Sequence, residues 1–346
     1  MRRALVVCPG RGSYDRAGLG QLQDRSDAVD QVLDAADAFR TAAGRPTIRE
    51  LDSDERYRTT RHVAGEHASL LTFACSLADL ADLARDRFEI VGVTGNSMGF
   101  YTALAAAGAL PLDDAIRLVD TMGAYQKSNV IGGQILYPAC DADWSPSPAL
   151  IQTIETTLQA ARDAGHSAHL SIDLGGFYVL GADKAGLGFL LQALPEEKRG
   201  TRSFPVQLPL HSAFHTPLMT ETSERALLEL GDLPLCAPQV PLIDGRGAVH
   251  RPRWTDPEAL RDYTLRHQVV APFDFTTAVS TALRHCAPDV VIALGPGNSL
   301  GGPLARILTW EGWSGIRSRA DLDARRGEDA LLLSFGVGLQ RPKLVA

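Results

Sequence analysis

Gly95-Asn96-Ser97-Met98-Gly99 sets one serine between two glycines, and it is the stretch of this chain best suited to covalent chemistry. Glycines give a tight turn the room it needs, and a serine at a strand-to-helix turn presents its hydroxyl outward. Upstream, Phe88-Glu89-Ile90-Val91-Gly92-Val93 reads as a short buried strand. Downstream, residues 100–110 (FYTALAAAGAL) are rich in alanine and leucine and read as a helix. The Met98 amide then falls at a helix N-terminus, where it can stabilise a developing oxyanion. Glycine-rich turns also occur without chemistry, so the pattern needs a partner. A nucleophilic serine needs a base, usually histidine. Among nine histidines, His215 stands out in Leu210-His211-Ser212-Ala213-Phe214-His215-Thr216-Pro217-Leu218-Met219, where the proline restrains the backbone. Residue type and spacing do not choose between His211 and His215.

The elements that must position these groups alternate. Residues 4–7 form a strand closed by Pro9-Gly10-Arg11-Gly12-Ser13, and a polar helical stretch follows over 19–43. Leu70, Leu71, Ala74, Leu77, Leu80 and Leu83 recur at helical spacing within 67–84, a helix that packs on the sheet. After the Ser97 unit comes a helix over 112–127. Strands alternating with helices point to a parallel α/β sheet. The rhythm then changes: strand 134–138, helix 148–164, strands 168–173 and 177–180, helix 184–194, strand 202–208. That βαββαβ order is the signature of a small ferredoxin-like unit. The expected division is a discontinuous large α/β domain, 1–129 with 206–346, and an inserted small subdomain, 130–205. Beyond it a buried strand over 290–294 runs into Gly295-Pro296-Gly297-Asn298. The stretch from Asp321 is charged and then leucine-rich, and nothing in it suggests a role.

Composition excludes several classes. With 346 residues, 45% hydrophobic and 22% charged, the chain reads as a globular protein larger than one ordinary domain. A net charge of −7 argues against a nucleic-acid surface, and no apolar run is long enough for a membrane span. The basic start and short apolar run Met1 to Cys8 faintly suggest a signal peptide, but Pro9 ends it too early. Cys8, Cys75, Cys140, Cys236 and Cys286 are scattered without CxxC spacing, which suits a reducing cytoplasm. No metal-ligand spacing occurs.

Four landmarks, in order, resemble the malonyl-CoA:acyl-carrier-protein transacylase family. Pro9-Gly10-Arg11-Gly12-Ser13 resembles its PGQGSQ loop, and Gly95-Asn96-Ser97-Met98-Gly99 its GHSLG elbow. Phe214-His215-Thr216-Pro217-Leu218-Met219 is similar to its FHSPLM segment, and Gly295-Pro296-Gly297-Asn298-Ser299-Leu300 to its GPGKVL turn. The resemblance covers nearly the whole chain. It implies an α/β-hydrolase-like parallel-sheet domain with a ferredoxin-like insert. It also implies Ser97 as the nucleophile that takes the acyl group, His215 as its base, and the backbone carbonyl of Gln268 as the group orienting that base. The amides of Met98 and Arg11 would form the oxyanion hole. Coenzyme A thioesters and an acyl carrier protein are the implied substrates, with no cofactor besides.

Three departures bear on the acyl group. Members specific for malonyl carry an arginine in the helix after the elbow, which grips the free carboxylate. Here Met122 falls at that position, and Arg117 on another face of the helix. Methionine suits an uncharged acyl chain. Arg11 replaces a glutamine, and two readings of its guanidinium stand: carboxylate recognition from a new direction, or a charge facing solvent or a phosphate of CoA or pantetheine. Asn96 replaces the histidine before the nucleophile, and His67 stands where glutamine is common; both suggest a reshaped pocket. The main expectation is acyl transfer, malonyl or an uncharged short acyl, in fatty acid or polyketide synthesis. Hydrolysis of acyl thioesters, favoured by the loss of the arginine, and a non-catalytic carrier-protein-binding module are the alternatives. A general lipase fits GxSxG, but there the acid lies between serine and histidine in chain order, and an insert of this kind is unexpected.

Overall fold

The computed structural model describes residues 1–23, 25–126, 130–325, 327 and 329–345. Lys127, where the expected helix 112–127 ends, and Asn129, at the expected domain boundary, lie outside the described residues.

Strand β1, Arg2–Cys8, is buried from Ala4 onward, as a strand covered on both faces must be. It lies between β2 (Phe88–Gly95) and β12 (Val290–Ala293), parallel to both. β9 (Leu242–Ile243) extends the sheet beside β2 and β13 (Leu332–Ser334) beside β12, again in parallel, while β10 (Val249–His250) closes one edge antiparallel to β9. The full order is β10-β9-β2-β1-β12-β13. Because the chain leaves β1 for β2 on one side and reaches β12 on the other, the loops after these three strands open a crevice at their carboxyl ends. Such a point in a parallel sheet is where ligands bind. The helix Gly65–Asp82 beneath is buried on nearly every position to Asp79, which explains its Leu- and Ala-rich run.

A second sheet has the order β11-β4-β5-β3-β8. Its members are β3 (Gly133–Pro138), β4 (Ala168–Asp173), β5 (Phe177–Ala182), β8 (Val206–Leu208) and β11 (Phe273–Asp274). The first four have ferredoxin-like connectivity. β11 arrives from late in the chain and pairs in parallel with β4. One face packs on the helices Pro148–Asp163 and Lys184–Ala193 through a core of its own, including Ile135, Tyr137, Leu158, Leu180 and Leu190. Strand alternation sends Gln134, Leu136, Ile172 and Val179 the other way, into a cavity between the two sheets.

Two expected elements differ. The stretch 19–43 is helical only over Asp27–Ala42, because Gly20 (φ +82°) keeps the preceding turn irregular. The expected strand 202–208 breaks at Pro205, which has no N–H for a ladder. β7 (Arg202–Phe204) forms a hairpin with β6 (Glu197–Arg199), and only β8 pairs with β3. Among the described residues, no helix is long and apolar enough to cross a membrane.

Candidate active site

The elbow forms because β2 ends at Gly95 and a helix, Gly99–Ala106, starts four residues on. A Cβ on Gly95 would stand 2.2 Å from the Gly99 carbonyl oxygen, and one on Gly99 would stand 2.3 Å from that of Cys8. Only glycine tolerates such contacts, so the backbone of the turn lies directly on the end of β1 and its loop. Ser97 itself sits at φ 55°, a left-handed conformation that non-glycine residues adopt where surrounding structure forces it.

His215, also at a positive φ (61°), reaches this serine from another part of the chain. The Ser97 hydroxyl lies 2.7 Å from His215 Nε2, and His215 Nδ1 lies 2.5 Å from the Gln268 carbonyl oxygen. A carbonyl only accepts, so Nδ1 carries the proton and Nε2 offers its lone pair to the serine. Why that carbonyl is available follows from the chain. A π-helical turn over Tyr263–His267 leads into the short helix Gln268–Val270, and the residue four beyond Gln268 is Pro272. The residue before a proline avoids the helical region, and Ala271 is extended (φ −122°, ψ 153°), so the helix stops there and no amide is set against the Gln268 carbonyl. The His215 amide further bonds to the Val269 carbonyl at 2.8 Å, Gln268 Nε2 donates to the Ser97 carbonyl at 3.3 Å, and Phe273 packs edge-on against the imidazole.

Burial lowers the imidazole to about 4, with the bond to Gln268 opposing the shift. His215 is therefore neutral at neutral pH and able to accept the serine proton. Arg11 and Met98 line the same cavity as Ser97, and their amides donate to no other group among the described residues. Amides of this kind are the donors that an oxyanion site uses.

These groups open onto a cavity of about 510 Å³. Asn96 and Met122 line it, as does Arg11, while Arg117 lies elsewhere and pairs with Asp232 at 2.7 Å. His67 was expected in the pocket and is not on its wall: its Nδ1 bonds to the Arg61 carbonyl at 3.0 Å. The helix Gly65–Asp82 turns Ser69 into the cavity instead. His211 lines the cavity without touching Ser97, its Nδ1 donating to the Pro209 carbonyl at 2.8 Å. Arg11 Nη2 donates to the Leu210 carbonyl at 2.6 Å. Burial lowers its guanidinium to about 10.

Reading by sequence missed Gln126, which lines the cavity one helical turn beyond Met122; that i, i+4 spacing was the available signal. It also missed the tie between the first and last glycine turns, where the Ser13 and Ser299 hydroxyls lie 2.6 Å apart. Among the described residues, no cluster of three or more His, Cys, Asp or Glu could hold a metal ion.

No protein-family model matches the chain. In sequence it is 26% identical to the malonyl CoA-acyl carrier protein transacylase of Salmonella typhimurium, over 94% of this chain and 99% of that protein. In fold it is similar to the acyl-carrier-protein S-malonyltransferase of Burkholderia pseudomallei, with a TM-score of 0.75 at 22% identity over 99% of this chain and 98% of that one. It is also similar to a malonyl-transacylase solved in complex with its type II polyketide acyl-carrier protein, with a TM-score of 0.71 at 19% identity over 91% and 99%.

Proposed function

We propose that this chain, a member of the malonyl-CoA:acyl-carrier-protein transacylase family, moves an acyl group from coenzyme A to the pantetheine thiol of an acyl carrier protein through an ester on Ser97. The observation that carries the reading is the Ser97–His215–Gln268 relay, 2.7 Å and 2.5 Å, opening onto the cavity. The names of its relatives support the same transfer.

In this scheme the Ser97 oxygen attacks the thioester carbonyl as its proton passes to His215 Nε2. The carbonyl electrons move onto oxygen and are held by the amides of Met98 and Arg11. When the tetrahedral intermediate collapses, the C–S bond breaks and the imidazolium returns its proton to the departing CoA thiol. The carrier-protein thiol then gives its proton to Nε2 and attacks the ester, the C–O bond breaks, and Ser97 recovers its proton. Coenzyme A enters as substrate. The second sheet would supply one wall of the cavity, and we take residues 130–205 as the inserted small subdomain, with 1–129 and 206–346 as the large one. Its separate hydrophobic core supports that division. Carrier proteins of fatty acid or polyketide synthesis are the partners this reading expects.

Intact-mass measurement tests the proposal. The protein incubated with acyl-CoA should gain the acyl mass and lose it on adding holo carrier protein. Ser97→Ala should gain nothing; a labelled mutant would remove Ser97 from its role. Hydrolysis is the second reading, favoured by apolar Met122 in the cavity wall. Free acid released without a carrier protein would select it.

A further inference from the structure

The cavity that Ser97 lines also holds the Arg11 guanidinium, which has no counter-ion among the described residues. Among the described residues no carboxylate pairs with Arg11, whose Nη2 is spent on the neutral carbonyl of Leu210. Its Nη1 is buried and bonds to nothing described. Space for it comes from Gly65: a Cβ there would stand 2.7 Å from Arg11 Nη1 and 2.8 Å from the Gln126 Cβ. The guanidinium therefore lies at the start of the helix Gly65–Asp82, against the helix Leu112–Ala124 and the residues that follow it. Gln126 Oε1 is likewise buried without a partner, and this amide can turn to offer N–H donors. A buried charge facing a polar gap is costly unless an anion arrives to pair with it.

We propose that Arg11, with Gln126 beside it, seats a carboxylate at the far end of the acyl group, so that dicarboxylic acyl thioesters of the malonyl type are the preferred donors. Selection then rests on a residue of the loop after β1, while the helix position facing the same cavity is the apolar Met122. This deepens the acyl-transfer reading and rests on it. The phosphates of the donor are a different anion, but the long pantetheine arm holds them away from the thioester carbon. Arg11, by contrast, lines the same cavity as Ser97. A bidentate guanidinium–carboxylate pair gives both strength and geometry.

The test is the rate of acyl-enzyme formation, by intact mass, with malonyl-CoA and acetyl-CoA for the wild-type protein and Arg11→Gln. The wild type should prefer malonyl-CoA, and the substitution should cut the malonyl-to-acetyl ratio ten- to hundredfold, the worth of a charged hydrogen bond. Both donors share every phosphate, so equal loss with the two, or an unchanged ratio, overturns the proposal. Should Arg11→Gln fail to fold, the wild type suffices. Free malonate should block acetyl-CoA loading at least tenfold better than free propionate, and equal blocking overturns the proposal. A wild type that takes label from neither donor is a different result: it removes the acyl-transfer reading itself.

Discussion

The His215 imidazole, sealed between Phe273 and the elbow, is the group whose surroundings set the pH range of the proposed reaction. Burial takes it from the usual 6.5 to about 4. The base form is therefore complete over the neutral range. We expect the rate of acyl-enzyme formation to stay level on acidification through pH 6.5 and to fall with a midpoint near 4, read from loading rates at a series of pH values. A midpoint near 6.5 would mean a solvated ring. Stability shares the sign. Between these two values the unfolded chain binds the proton and the folded one does not, so the imidazole costs stability as pH falls through that window. Arg11 and Asn96 carry the specificity question at this scale, because each brings an unpartnered buried polar atom to the cavity.

Three separate elements converge at that imidazole: the elbow after β2, the loop carrying His215, and the short helix that begins at Gln268 after the π-helical turn. The last depends on a proline. Pro272→Ala lifts the restraint that keeps Ala271 extended and supplies an N–H, so the helix can run on and set an amide against the Gln268 carbonyl in competition with His215. We expect acyl-enzyme formation to slow by about tenfold, the worth of one hydrogen bond that orients the base, while the circular dichroism spectrum is retained. Unchanged loading would mean that Gln268 does not orient the ring. The elbow's own geometry needs no such competitor, since Gly95 and Gly99 leave the backbone nowhere else to go.

Across the whole molecule, the crevice is held by ties between distant parts of the chain. Asp79, on the helix Gly65–Asp82, is buried and receives Arg25 and Arg341 at 3.0 Å each and the Gly295 amide at 2.8 Å. It thereby joins the segment before the first long helix, the last glycine turn and the C-terminal segment, whose role was not apparent in the sequence. Asp79→Ala leaves the Gly295 amide without its acceptor and Arg25 and Arg341 with the Asp82 carboxylate alone. A buried amide left without its partner costs about 1–3 kcal/mol, measurable as a lower urea midpoint. No change in the midpoint would show that these ties do not hold the fold. Above the crevice, β11 joins the small sheet to the chain that carries Gln268, so the second sheet and the His215 relay share one support.

Much of this was readable before any coordinates. The strand-turn-helix around Ser97, the alternation of parallel strands and helices, and the βαββαβ order of the insert all follow from local periodicity and glycine placement, which act over a few residues. So did Met122 and Asn96 as cavity residues once the resemblance had aligned them. The sequence could not say by spacing which histidine meets Ser97, for His211 and His215 differ only in how a loop is held by Val269 and Gln268 from across the chain. Nor could it place Arg11 or His67, because a long side chain on a loop goes where a neighbour leaves room. Gly65 made that room for Arg11, and the Arg61 carbonyl turned His67 away. Local patterns decide what each segment becomes; long-range packing decides which polar atoms are left facing the cavity.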